Sequence, residues 1–343
     1  MRHRVIGGEF ELAGIPSIGP AEIDCYRYAS GRAAFYQILK TVNRDVSRVW
    51  FPDWLCESMI DAAKQAGIAY GFYRLGNDLR MDVHRFVDQQ ESDGGIDAVV
   101  LVNYFGLVDL EETIAELRAR NGAKIIIEDD VQALFSFLDG THGTADFRFA
   151  SLRKSIPAPD GGLVRTEWEM PNAAEPNTFA KFKLEGSLLK GKADVQMDDR
   201  EYLCLFEEGE RLIEQNYDSR MSDEAAYVLA SEDMQAAKSR RRANALFLVE
   251  QLEALGIKPI IPIREECVPL FVPVCLENRD EVRRELRKNN IFCPVHWPLR
   301  ADMMELDMGR KMAEKELSLV VDQRYGIDDM ISIVNVLRDV TCK

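Results

Sequence analysis

Short apolar runs alternate with amphipathic stretches through the first 130 residues, and the spacing predicts elements directly. Residues 28–40 (YASGRAAFYQILK) read as a loop entering a helix, with Ser30-Gly31 at its start and Ala33, Ala34, Phe35, Ile38 and Leu39 on one face. Residues 49–52 form a short apolar strand ending in Pro52. An amphipathic helix follows and stops at Gly67, the place a helix end favours glycine. Residues 68–73 give another strand. Residues 96–103 (IDAVVLVN) and 123–130 (AKIIIEDD) are β-branched and continuously apolar, as strands covered on both faces should be. A helix from about 110 to 120 separates them. This alternation predicts an α/β fold with a mostly parallel sheet between helices. Ligands collect beyond the carboxyl ends of such strands, where Asn103, Asp129 and Asp130 fall.

The pattern changes further on. Residues 178–215 are polar with helical stretches, predicted to wrap the sheet. Residues 223–256 carry one long helical pattern that includes the basic run at 239–242, which suits a solvated helix face. From about residue 267 a strand (268–276), a helix (279–289) and a second strand (291–299, with His296-Trp297) precede a terminal helix at 328–337. These form a smaller C-terminal α/β domain. The expected division is 1–220 for the large domain and 221–343 for the small one with its long linking helix.

Composition narrows the function. At 343 residues the chain can build two cores. Its net charge of −15 opposes a phosphate-tracking groove, so no nucleic-acid partner is expected. No apolar run is long enough to span a membrane, and the first residues lack an apolar signal region, so a cytoplasmic protein is expected. Seven scattered cysteines lack metal-type spacing and read as reduced thiols; four separated histidines make a metal centre unexpected.

The candidate chemistry lies in residues 149–164, FASLRKSIPAPDGGLV. A lysine amine of lowered pKa forms a Schiff base with a carbonyl compound such as pyridoxal phosphate. Ser151, three residues before Lys154, could bond a cofactor phosphate, and Gly161-Gly162 would let the backbone pass close to the bound group. A Ser-x-x-Lys also describes two surface residues on one helical turn. It opens the serine β-lactamase motif set as well, but the Lys-Thr-Gly and Ser-Asp-Asn partners are missing.

The order of four stretches adds context. SGRAAFYQIL, VVLVNYFGLVDL, IIIEDDVQALFS and SLRKSIPAPDGGLV together resemble the DegT/DnrJ/StrS-type family of pyridoxal-phosphate sugar aminotransferases, within fold type I. NYDSRMSDEAAYVL and VHWPL are similar to later family segments, and the resemblance runs from about residue 20 to 340. It implies amino transfer from an amino acid to a keto-sugar, nucleotide-linked, in a homodimer. By the same resemblance Lys154 is the Schiff-base lysine and proton shuttle. Asp129 pairs with the pyridine nitrogen, and Gln132 lies near the ring and its 3′-oxygen. Ser151 and the backbone amides of Gly31, Arg32 and Ala33 hold the phosphate. Trp54 is the candidate to stack on the ring, with a core position as its alternative. Arg220 is the candidate that reaches the partner subunit's phosphate site.

The chain also departs from the family. Phe149 stands where many members carry a serine five before the lysine, and Asp218 replaces an asparagine that reaches the partner's phosphate. Asn103, still counted among the cofactor-binding candidates, replaces a common histidine. Two alternatives therefore stay open: a pyridoxal-phosphate sugar dehydratase or deoxygenase, and a non-catalytic member with a regulatory or binding role. Lys154 counts against the first, because some relatives with that chemistry carry histidine there.

Overall fold

The computed structural model describes residues 5–16, 19, 23–90, 96–120, 122–140, 144–192, 200–299 and 306–341. A seven-stranded sheet organises the first half of the chain. Its spatial order is Tyr26–Tyr28, Gly162–Arg165, Phe147–Ser151, Ile125–Asp129, Ala98–Val102, Arg48–Pro52 and Ala69–Tyr73. The strands from Phe147–Ser151 to Ala69–Tyr73 are parallel. Gly162–Arg165 returns antiparallel to Phe147–Ser151, and Tyr26–Tyr28 is antiparallel to Gly162–Arg165. Ala98–Val102 and Ile125–Asp129 are buried at every position, which explains their unbroken apolar runs. Helix Glu57–Ala66 ends as expected: Gly67 takes φ 71° and its N–H bonds back to the Ala63 and Lys64 carbonyls.

Helix Gly31–Val42 lies against Phe147–Ser151 and Gly162–Arg165. Phe35 stacks on Phe149 with centroids 5.4 Å apart. Phe149 therefore faces the core beneath the helix. Helices Ala180–Lys192 and Arg200–Ile213 pack on each other, and Phe179 and Ile213 close over Ala29.

Two expectations are corrected. The long helical pattern at 223–256 is two helices, Asp223–Ser231 and Met234–Ala254. The Asp233 side chain accepts from the Ala236 N–H and caps the second, a local competition that hydrophobic periodicity does not register. The stretch 291–299 is strand only at Ile291–Phe292, and that pair adds parallel to Ile6–Gly7. Pro294 and Pro298 remove ladder donors from the remainder. Glu316–Val320, buried throughout, is the antiparallel partner of Phe271–Cys275.

A second core joins Leu248 and Leu252, Val282 and Leu286, Ile333 and Leu337 to this two-stranded sheet. Ile6 belongs to it as well, so the start of the chain packs with its end. Helix Asp223–Ser231 packs instead on Leu152, Ile156 and Leu163 of the first half.

Candidate active site

Beyond the carboxyl ends of Ala98–Val102, Ile125–Asp129 and Phe147–Ser151 lies a cavity lined by Asp129, Val131, Gln132, Ser151, Lys154 and Trp297. The start of helix Gly31–Val42 closes one side. Ser151 is the last residue of its strand and is 2% exposed. The chain then turns tightly: the N–H groups of Ser155 and Ile156 both bond the Leu152 carbonyl. That turn brings half-buried Lys154 back over the same cavity as Ser151.

Gly161 takes φ 113°, and a Cβ on Gly162 would overlap the Ser30 carbonyl. The glycine pair was expected to let the backbone pass a bound group. What it passes is the Ser30-Gly31 loop, so its role is to seat the helix start beside the Lys154 turn. Gly31 has its own constraint. A Cβ there would stand 2.9 Å from Val131 Cγ2 and 3.4 Å from Ser151 Cβ.

At the helix start, Ser30 Oγ accepts from the Ala33 N–H at 3.1 Å. The Ala33 amide is therefore engaged by the cap, and Ala33 is not in the cavity wall. Gly31 and Arg32 do line it, and their amides, at the first two helical positions, have no partner within a helix. The Arg32 side chain turns toward Glu214 at 3.8 Å.

The side-chain alternation of the strand separates Asp129 from Asp130. Asp129 faces the cavity, and its Oδ1 accepts from the Val131 N–H at 2.9 Å. Burial pushes its carboxyl up to about 7, against the opposing pull of that bond and of the Lys154 charge. Asp130 turns away and receives Arg148 through Nε at 3.0 Å and Nη2 at 2.7 Å. Glu128 lies 3.3 Å from the same guanidinium. Burial, then the neighbouring Asp130 charge, pushes Glu128 up to about 8.

Gln132 has one amide end engaged and one open. Its Oε1 accepts from the Phe105 N–H at 3.1 Å, while Nε2 is buried in the cavity wall without a hydrogen-bond partner among the described residues.

Three candidates lie elsewhere. Trp54 is 1% exposed and stacks on Tyr104 at 5.0 Å and 13°, with Nε1 donating to the His296 carbonyl. It is a core residue and does not line the cavity. Asn103 donates to Asp130 Oδ1 at 3.2 Å and accepts from the Val108 N–H, so it shapes the loop on the opposite face. Arg220 is exposed and paired with Asp223 at 3.5 Å, away from the cavity of its own chain. Asp218 accepts from Gln37 Nε2 at 2.8 Å.

The structure also brings in residues that sequence reasoning did not place. Trp297 lines the cavity, its ring 5.1 Å from Trp54. The VHWP stretch was visible, but as part of an expected strand. Arg153 makes a forked pair with Glu210, at 2.6 and 3.3 Å. Burial raises the Glu210 carboxyl, but the Arg153 and Lys183 charges outweigh it and hold the group at about 2. Nothing in the local sequence links positions 153 and 210.

No protein-family model matches this chain, and no curated protein matches its sequence. Solved structures do match in shape. A DegT DnrJ EryC1 StrS aminotransferase from Brucella abortus superposes with a TM-score of 0.69 at 19% identity, covering 93% of this chain and 86% of that one. DesV from S. venezuelae, solved in complex with a ketimine intermediate, gives 0.67 at 17%, covering 93% and 85%. The sugar aminotransferase CalS13 from Micromonospora echinospora gives 0.67 at 16%, covering 92% and 87%. At these identities the likeness establishes the fold, and the expected sheet architecture is that of these aminotransferases.

Proposed function

We propose that the chain is a pyridoxal-phosphate-dependent aminotransferase that moves an amino group from an amino acid to a keto-sugar. The observation that carries this reading is the meeting of Lys154, Asp129 and the open Gln132 Nε2 on one cavity. Asp129 and Gln132 each lack something the cofactor would provide. A buried carboxyl raised to about 7 is stabilised as an anion by a protonated pyridine nitrogen. An unpartnered buried amide N–H is costly until it meets an acceptor such as the ring oxygen. Ser151 and the amides of Gly31 and Arg32 offer donors to a phosphate. The residues present therefore fit the group.

When bound, pyridoxal phosphate supplies an aldehyde that takes an amine and a ring that draws off electrons. The protein does the rest. Lys154 would supply the amine that holds the aldehyde, and the same amine would take up and return the proton moved during transfer. Asp129 would hold a proton at the ring nitrogen, and Gln132 Nε2 would donate to the ring oxygen. Trp297 covers the cavity with Trp54 and Tyr104 packed behind it. Asp130 is excluded from this work by its engagement with Arg148.

Nucleotide linkage of the sugar, a cytoplasmic location and a homodimer belong to the same reading. In the dimer, exposed Arg220 serves the partner's phosphate site; sedimentation should give a dimer at micromolar concentration. The central test is chemical. Borohydride reduction of the cofactor-loaded protein should place the phosphopyridoxyl group on Lys154 by peptide mapping. Lys154→Ala should bind the cofactor without that adduct and should not turn over. A label on another lysine, or full activity of the variant, overturns the reading.

A further inference from the structure

Arg241, on helix Met234–Ala254, is 0% exposed, and among the described residues it forms no ion pair. The acids whose charges reach it, Asp322 and Glu232, are engaged elsewhere, by Arg324 at 2.9 Å and by Gln323 at 3.2 Å. Burial pushes the guanidinium down to about 10. Packing alone does not ask for a cation here, since apolar residues of similar volume commonly match buried charged groups in stability. What the arginine adds is its hydrogen bonds.

Those bonds run to three segments far apart in the chain. Nη2 donates to the Ser155 carbonyl at 3.1 Å, and Nη1 to the Pro269 and Leu270 carbonyls at 3.2 and 3.3 Å. Nε donates to Gln323 Oε1 at 2.8 Å. Gln323 closes a ring, because its Nε2 donates to the same Ser155 carbonyl at 2.8 Å. A planar fork with donors in three directions spans this junction, whereas a lysine ammonium is a single point.

Two of the segments lead straight to the Lys154 cavity. Ser155 directly follows Lys154, and its own N–H bonds the Leu152 carbonyl at 3.0 Å. It is therefore held at its N–H from within the turn and at its carbonyl from outside it. The Leu270 N–H donates to the Phe105 carbonyl at 2.8 Å, and the Phe105 N–H in turn holds Gln132 Oε1. Phe105 and Gly106 are both left-handed, at φ 58° and 72°, and a Cβ on Gly106 would stand 2.9 Å from the Val268 carbonyl oxygen. The third segment, which carries Gln323, is tied to the same helix by Asn244 Nδ2 through the Val321, Asp322 and Tyr325 carbonyls.

We propose that Arg241 is a positioning residue: through residues 269–270 it joins the Lys154 turn to the Gln132 loop, and so sets where the Lys154 amine stands over the cavity. The joint stands on the hydrogen bonds; its use toward the cofactor rests on the aminotransferase reading above.

The test separates the two. In the cofactor-free full chain, Arg241→Met should speed amide hydrogen exchange across residues 152–157 by about tenfold, while strand Ala98–Val102 keeps the parent's rate. Gln323→Ala should do the same to a smaller extent, and it carries both comparisons if Arg241→Met does not fold. Pyridoxal phosphate is then titrated into the variants with Lys154 present and with Lys154→Ala. The substitution should weaken binding by about tenfold where the lysine is present and by less than about twofold where it is absent, because its effect acts through that lysine. Unchanged exchange at the turn overturns the joint. Equal weakening in the two backgrounds makes Arg241 a stabilising residue only and overturns its positioning role. If borohydride labels a lysine other than Lys154, the aminotransferase reading falls, and faster exchange at the turn still upholds the joint.

Discussion

Asp129 and Asp130 are neighbours at the end of one strand, yet Asp129 meets a cavity while Asp130 meets a buried guanidinium. On the Asp130 face, Arg148 sits between two carboxylates, and Asn103 adds a further hydrogen bond. That cluster completes itself. On the Asp129 face the carboxyl has one backbone bond, Gln132 Nε2 has no partner, and Lys154 is turned inward. On the reading proposed above, that face is where the cofactor would be held. The comparison teaches that burial alone does not mark a functional carboxylate. What marks it is burial without a matched cation, beside other unmatched groups.

The strongest way to break the comparison is to remove the cation from the self-contained face. Arg148→Met leaves Glu128 and Asp130 buried without their partner and should cost about 3–5 kcal/mol in urea unfolding, the scale of a broken buried pair. Cofactor absorbance per folded molecule should stay the same. A stability within error of the parent would mean the two faces do not differ as described.

Next comes the open face. Asp129→Asn should keep the fold and lower turnover by more than tenfold, on the scale of about 3 kcal/mol for a lost electrostatic stabiliser. Asp130→Asn should act mainly on stability. If steady-state rates show the opposite assignment, the roles of the two faces are exchanged.

A smaller effect concerns pH in the cofactor-free protein. Asp129 and Glu128 have folded values of about 7 and about 8, above their ordinary 3.8 and 4.5. Between those limits the folded state holds protons that the unfolded state has released, so stability should fall as pH rises from about 4 to 8. Each group contributes at most about 1.4 kcal/mol per pH unit. Asp129→Asn should flatten the part below pH 7, and bound cofactor should do the same by giving the anion a cation. A slope of opposite sign in chemical denaturation across this range would contradict the placement of these carboxyls.

The smallest expected change is at Asn103. Replacing it with alanine removes the bonds to Asp130 and Val108 and should cost about 1 kcal/mol, with cofactor absorbance unchanged. A shifted absorbance band would return Asn103 to the cofactor side.

The amino-acid sequence by itself determined the parallel sheet, because Ala98–Val102 and Ile125–Asp129 are buried on both faces and so carry no polar alternation. It also determined where ligand-binding groups could stand, since strand ends follow from the strands. Lys154 and Ser151 were legible because a three-residue turn keeps them together whatever surrounds it. What the sequence left open was direction and partnership. Whether Asp129 or Asp130 faces the cavity depends on strand register against Phe147–Ser151. Trp54 and Trp297 are similar residues in sequence; packing on Tyr104 places Trp54 in the core, while Trp297, 243 positions further along the chain, reaches the cavity. Arg153 with Glu210, and Ile6 with the C-terminal core, are likewise pairings over long separations. Local propensity carries no information about such contacts. They form only when the two cores close and each buried group must find, or go without, a partner.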